Sequence, residues 1–318
     1  MFRYFVVRVL GVIPLLLAVS IISFGLLGVL ELRGNVAEVI LGQGAANPHA
    51  VKLVEAELGL NRPLPIRFLK WLGNAVQGNF GDSLKNTGVP VTRMIGQHIW
   101  PTLSIVAFAM LLGSLVGILL GVRSGISPGS RTDRVLTFIS ASMIAAPGFV
   151  LAMLLIYVFG VKLGWFQPTG YVWPGQSVWG WFKSITLPSV ALAMPVVAIV
   201  QRQLRSSMSS SLQSRYVLAA RARGVPARTV VRRHAMRNAL VPTVTVIGFQ
   251  VSAAIGLTIA VEQVFAIPGI GSMLTEAIQA RDITVVQGTL MVAALIVAVV
   301  NILIDLSYVW LNPKVRFE

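Results

Sequence analysis

Apolar residues gather into six long blocks separated by polar stretches: Val9–Leu30, Pro101–Val122, Val135–Gly160, Ile185–Val200, Val241–Val261 and Thr284–Leu311. A helix needs about 20 predominantly apolar residues to cross a bilayer, so each block predicts a spanning helix. The fourth is the shortest and holds Pro188 and Pro195. Proline removes a backbone donor and clashes with the preceding turn, so Pro195 is expected to break the fourth span and Pro147–Gly148 the third. Such breaks are either static kinks or points where a transport path is lined. The first block follows Arg3 and Arg8, as a signal peptide would. It is too long for that and has no small-x-small cleavage site, so it predicts a retained helix.

Between the first two blocks, "NRPLPIRFLKWLGNAVQGNFGDSL" places Ile66, Leu69, Leu72 and Val76 at helical spacing. Pro63 and Pro65 precede them and Gly78 follows, which predicts an amphipathic helix in this loop. Its apolar face either packs on the bundle or docks a partner. Gly113, Gly117 and Gly121 form a small-residue stripe along the second span, suited to close helix approach within the chain or with another subunit.

Composition agrees with a membrane protein. The 318 residues are 55% hydrophobic and 12% charged, where soluble domains carry about 25% charged residues. The net charge of +15 matters chiefly by its placement. Lys and Arg concentrate in short cytoplasmic loops. Arg123, Arg131 and Arg134 lie between the second and third blocks, and nine arginines with no acid lie in Gln201–Leu240. Arg3 and Arg8 precede the first block, and Lys314 and Arg316 follow the last. By contrast, Val161–Ser184 has only Lys162 and Lys183, and Glu262–Ile283 only Arg281. Both termini are therefore expected in the cytoplasm. The loop Glu31–Trp100 carries seven Lys or Arg on the outer side, but long loops translocate largely regardless of charge. Trp165, Trp173, Trp179 and Trp181 fall in one outer loop, as an interfacial belt would.

Candidate chemistry narrows the picture further. With no cysteine there is no disulfide or thiolate site, and three scattered histidines make no metal cluster. No G-x-x-x-x-G-K-[ST] or H-E-x-x-H occurs, and "GISPGSRT" at Gly125–Thr132 reads as a plain cytoplasmic turn. Asp305 and Glu262 are the carboxylates near the bilayer, and Asp305 reads as a structural hydrogen-bonding group. An embedded enzyme has no catalytic constellation. A secondary transporter of small solutes working alone would need midplane charges and inverted repeats, which are not visible.

The polar stretch of most interest is "RYVLAARARGVPARTVVRRHAMRNALVP", Arg215–Pro242. Ser209–Ser211 and Ser214 are N-cap candidates for a helix ending at Gly224, and Pro226 suits the first turn of a second helix. The like-charged pairs Arg228/Arg232 and Arg233/Arg237 each cost about 0.2–0.5 kcal/mol in an isolated helix. Anionic lipid or a protein surface would offset that. Ala219, Ala220 and Ala222 permit close insertion into a cleft, whereas no aromatic platform suggests nucleic acid.

These residues resemble the EAA loop of ATP-binding-cassette importer permeases of the dipeptide/oligopeptide (nickel) uptake family, in the subunit type with the long first outer loop. The Glu-Ala-Ala–x3–Gly pattern falls on Leu218, Ala219, Ala220 and Gly224, with Leu218 in place of the glutamate. "LGLNRPLPIRFLKWLGNAVQGNFGDSL", "VFAIPGIGSML" and "DLSYVWLNPKVRF" extend the resemblance nearly end to end.

The resemblance implies an all-α, six-span permease of the type I importer kind. It would be organised as a first segment and span (1–30), an extracytoplasmic loop (31–100), a five-helix core with a coupling loop at 201–240 (101–312) and a tail (313–318). It further implies a homologous second permease, two cytoplasmic ATPases that bind ATP and magnesium, and an extracytoplasmic solute-binding protein. Tyr216, Ala219, Ala220, Arg221, Arg223 and Gly224 are then the expected ATPase-coupling residues, with no cofactor in the chain itself. Relatives of this kind carry peptides, nickel, glutathione or other small solutes.

Overall fold

The computed structural model describes residues 2–31, 47–59, 62–86 and 88–311, all helical apart from turns and one isolated bridge, Asp82 to Pro90. The helices are α1 Phe2–Glu31, α2 Pro48–Leu58, α3 Leu64–Val76, α4 Val91–Ile126, α5 Arg131–Ala145, α6 Gly148–Lys162, α7 Val178–Leu212, α8 Arg215–Ala222, α9 Ala227–Phe265, α10 Ile270–Gln279 and α11 Ile283–Leu311. Among the described residues, α4, α7, α9 and α11 are long and apolar enough to cross a membrane. The bent pair α5–α6 is a fifth candidate, and Leu10–Gly25 of α1 is a shorter apolar helix. The Asp305 side chain and the tail 312–318 lie outside the described residues.

The chain forms two compact units. The first comprises Pro101–Pro268 and the part of α11 from Val299. Within it α4 approaches α7 closely. A Cβ added at Gly113, Gly117, Gly121 or Gly125 would lie within 2.6–2.8 Å of Val196, Val200, Leu204 or Met208 respectively. The small-residue stripe is thus an intramolecular seam one glycine longer than the sequence suggested. Leu111, Leu115 and Leu119 of α4 are exposed, as residues facing lipid would be.

Two sequence expectations are corrected here. Pro195 does not break the fourth span: α7 runs unbroken through Pro188 and Pro195 and is far longer than the apolar block Ile185–Val200. Neighbours pack around it on most sides, which stabilises a helix that has lost two backbone donors. Its start is fixed by Ser177, whose Oγ accepts from Gly180 N at 3.0 Å. The second helix of the arginine segment is likewise not a separate cytoplasmic element. It opens α9, a single helix of 39 residues with a wide turn at Val230–Ala235. Pro226 stands just before it at the cap position.

The break at Pro147–Gly148 does occur. Proline disfavours helical geometry in the residue before it, and Ala146 is extended. The two arms, α5 and α6, meet at 103°. Glu262, near the end of α9, is fully buried and accepts from Thr102 Oγ1 at 2.6 Å.

The second unit comprises Phe2–Trp100 and Gly269–Ala298. Val91, Ile95, Ile270, Met273, Val285 and Val286 form its core. Asp282 accepts from Ser83 Oγ at 2.5 Å and from Lys85 N at 3.2 Å, tying the turn after α3 to the start of α11. The amphipathic helix is present as α3, but its packing face is not the expected one. Arg67 and Ala75 are buried, and Phe68 and Trp71 meet Phe24 of α1 at centroid distances of 5.5 and 5.8 Å. Ile66, Leu69 and Val76 are exposed instead. Aromatic rings bury more area than branched aliphatics, and they take the contact.

Candidate functional site

The arginine segment forms a compact knot at the end of α7. After Leu212 only Gln213 and Ser214 intervene before α8 begins. Ser214 is extended at the cap position, but its Oγ donates to Ser211 O at 2.5 Å rather than accepting from the new helix. The far end has a complete left-handed cap. Gly224 has φ +77°, Gly224 N donates to Arg221 O at 2.9 Å, and Val225 N donates to Ala220 O at 3.2 Å. Any residue with a side chain is strained at that φ.

A helix of eight residues is unstable by itself in water, so α8 exists because of what it packs on. Val217 and Ala220 are buried with Leu204, Met208 and Leu212 of α7 and Val230, Ala235 and Ala239 of α9. Tyr216 Oη accepts from Asn238 Nδ2 at 2.7 Å, a second tie to α9.

The six expected coupling residues therefore divide. Tyr216, Ala219, Arg221, Arg223 and Gly224 are exposed, with Leu218 and Ala222 beside them. Ala220 is 5% exposed and belongs to the chain's own core. The reason is helical geometry: Val217 and Ala220 are three apart and share the inner face. Arg228, Arg232, Arg233 and Arg237 at the start of α9 are also exposed.

Sequence reasoning missed the ion pair beneath this knot. Arg205, near the end of α7, reaches Asp133 in the first turn of α5 through Nε at 2.5 Å and Nη2 at 2.7 Å. Asp133 is 1% exposed and also accepts from Ser124 Oγ and, at 2.8 Å, from Gly129 N. Asp133 lies in the loop before the apolar block that begins at Val135. The Arg205 hydrogen bonds hold its carboxyl well below the usual carboxylate range, against the opposing effect of burial. The legible signal was a lone acid among three arginines in that loop, three residues after Ser130, which caps α5. Its partner 72 residues away carries no local mark.

Comparison with known proteins gives this arrangement its context. Residues 113–317 match the family described as binding-protein-dependent transport system inner membrane component, and residues 1–103 match the N-terminal part of such a component. The chain belongs to this family. It is a multi-pass inner-membrane transport component and not itself an enzyme. Permeases of this family work with ATPase and binding-protein partners.

A probable peptide ABC transporter permease protein of Sinorhizobium fredii is 36% identical over 314 residues, covering 99% of each chain. The glutathione transport system permease protein of Pectobacterium atrosepticum is 35% identical over 318 residues and covers both chains completely. Among solved structures, an inward-facing MetNI methionine ABC transporter matches with a TM-score of 0.58 at 17% identity. That match covers 69% of this chain and 96% of the other, and at such identity it speaks to fold.

Proposed function

We propose that this permease carries peptides inward, forms the path with a homologous second permease, and is driven through α8 by two cytoplasmic ATPases that bind ATP and magnesium. An extracytoplasmic binding protein delivers the solute. The observation that carries the coupling reading is a short helix rigidly seated at the end of α7, with small and basic residues turned outward. Tyr216, Ala219, Arg221, Arg223 and Gly224 would meet the ATPase groove, while Ala220 supports the helix from behind. The substrate class rests on relatives named for peptides and glutathione over their full length.

Ala219→Trp places a ring on the outer face of α8, and Gly224→Val puts a β-branched residue at positive φ, a cost of about 1–3 kcal/mol. Both variants should insert normally, lose co-purifying ATPase and reduce peptide uptake by about tenfold, equivalent to 1.4 kcal/mol of contact energy. Ser210→Ala, on the exposed end of α7, should transport normally. Full ATPase retention and uptake in both test variants would remove α8 from the coupling role.

The same reading takes six crossings with both termini cytoplasmic, α1 supplying the first and 31–100 lying outside. It keeps the organisation 1–30, 31–100, 101–312 with the coupling loop at 201–240, and 313–318. The chain has no cysteine, so single cysteines are unambiguous probes. Gln176→Cys should react with an impermeant thiol reagent on intact cells, while Ser127→Cys and Ser210→Cys should react only after lysis. Labelling of Ser210→Cys in intact cells would invert the topology.

A further inference from the structure

Helix α3 has a second apolar face that the described residues leave exposed. Ile66 is 51% exposed, Leu69 65% and Val76 80%, and with Gly73 they form one stripe opposite the face that holds Phe68, Trp71 and Ala75. Three large apolar side chains exposed on one helix outside a span would be a liability in water. We propose that α3 is an interfacial helix whose Ile66–Leu69–Val76 stripe is immersed in the outer leaflet of the bilayer.

Three observations favour lipid. The first is depth. Aromatic packing pins α3 to Phe24, six residues before Leu30, the end of the apolar block of α1. At about 1.5 Å per residue that contact lies about 9 Å inside the end of the block, within the depth of about 5–10 Å at which amphipathic helices sit. The second is continuity. Ile21 and Ile22 of α1 are 59% and 69% exposed next to this contact, so α3 joins a surface that is already lipid-facing. The third is segregation of polarity. Lys70 and Asn74 of α3, with Arg62, Asn79 and Asp82, line a cavity of about 410 Å³, which marks the water side of the helix.

The inference rests on the proposed reading for the crossing by α1 and for which leaflet lies outside. The thiol-labelling experiment above tests that orientation separately, so the two can fail independently.

The test places a nitroxide spin label on Leu69→Cys, Val76→Cys or Asn74→Cys in the full importer, reconstituted in nanodiscs of phosphatidylethanolamine and phosphatidylglycerol. Accessibility to oxygen, which concentrates in lipid, is compared with accessibility to a water-soluble nickel chelate. At Leu69 and Val76 the oxygen-to-nickel ratio should be several times that at Asn74. Equal ratios at all three positions would mean that water covers the stripe and would overturn the proposal. Low accessibility to both agents at Leu69 and Val76 would mean that a protein covers it, the second permease or the binding protein, and would overturn it as well.

Discussion

Replacing Gly117 with leucine is expected to deprive the membrane of most of this protein. An added Cβ there would stand 2.8 Å from Val200 Cβ and 3.0 Å from the carbonyl oxygen of Val197. A side chain can rotate away, but a helix carbonyl cannot, so α4 and α7 would have to separate. Even alanine would cost about 1–3 kcal/mol by overpacking, only partly offset by a gain of about 0.5–1 kcal/mol in helix propensity. Leucine adds three further carbons and the cost grows accordingly. Gly256 of α9 has nothing within 4 Å of its added Cβ, so Gly256→Leu is the matched control. Expression in membranes and the thermal midpoint of the purified chain should fall for Gly117→Leu and hold for Gly256→Leu. If both variants melt with the unaltered protein, the seam is not tight.

Asp133→Ala should be nearly as damaging, by a different route. It removes an acid that is 1% exposed and leaves Arg205, Ser124 Oγ and Gly129 N without their acceptor. Breaking a buried pair costs about 3–5 kcal/mol, and the 35% exposure of the Arg205 side chain puts this case at the lower end, because water can resolvate it. Asp133→Ala with Arg205→Met should be less destabilised than the sum of the two single changes, since neither charge is then stranded. Additive losses in thermal stability would argue against direct coupling. The pH dependence has a definite sign. The folded-state pKa of Asp133 is depressed, so its contribution is complete above the unfolded value of about 4 and is lost only as pH falls below that. Between pH 5 and 8 the pair should add no slope to stability.

The positions of the apolar helices were legible because lipid imposes a length and a composition that few other contexts require. Their ends were not. α7 extends past Val200 through polar residues such as Gln201, Arg202 and Arg205, which hydropathy reads as loop but which continue the helix. Pro195 reads as a break from local rules, yet packing around α7 overrides them. The coupling candidates show the same division. Gly224 was readable, because only glycine sits comfortably at φ +77°. The inward turn of Ala220 depends on contacts with Val230 and Ala235, which lie across a turn. Alternation of Ile66, Leu69 and Val76 with Phe68 and Trp71 gave α3 two apolar faces, and periodicity alone does not choose which one meets α1.

The glycine seam has a mechanical corollary. With a glycine at every fourth position from 113 to 125 facing Val196, Val200, Leu204 and Met208, α4 and α7 fit in register at four successive turns. Sliding by less than a whole turn, about 5.4 Å, would drive Cβ atoms into helix backbone, so small displacements carry both helices together. Gln213 and Ser214 leave almost no slack between α7 and α8. If α8 takes the coupling role proposed above, a pull on it would move α4 and α7 together, and the bend of 103° at Pro147 offers a place where the chain could yield.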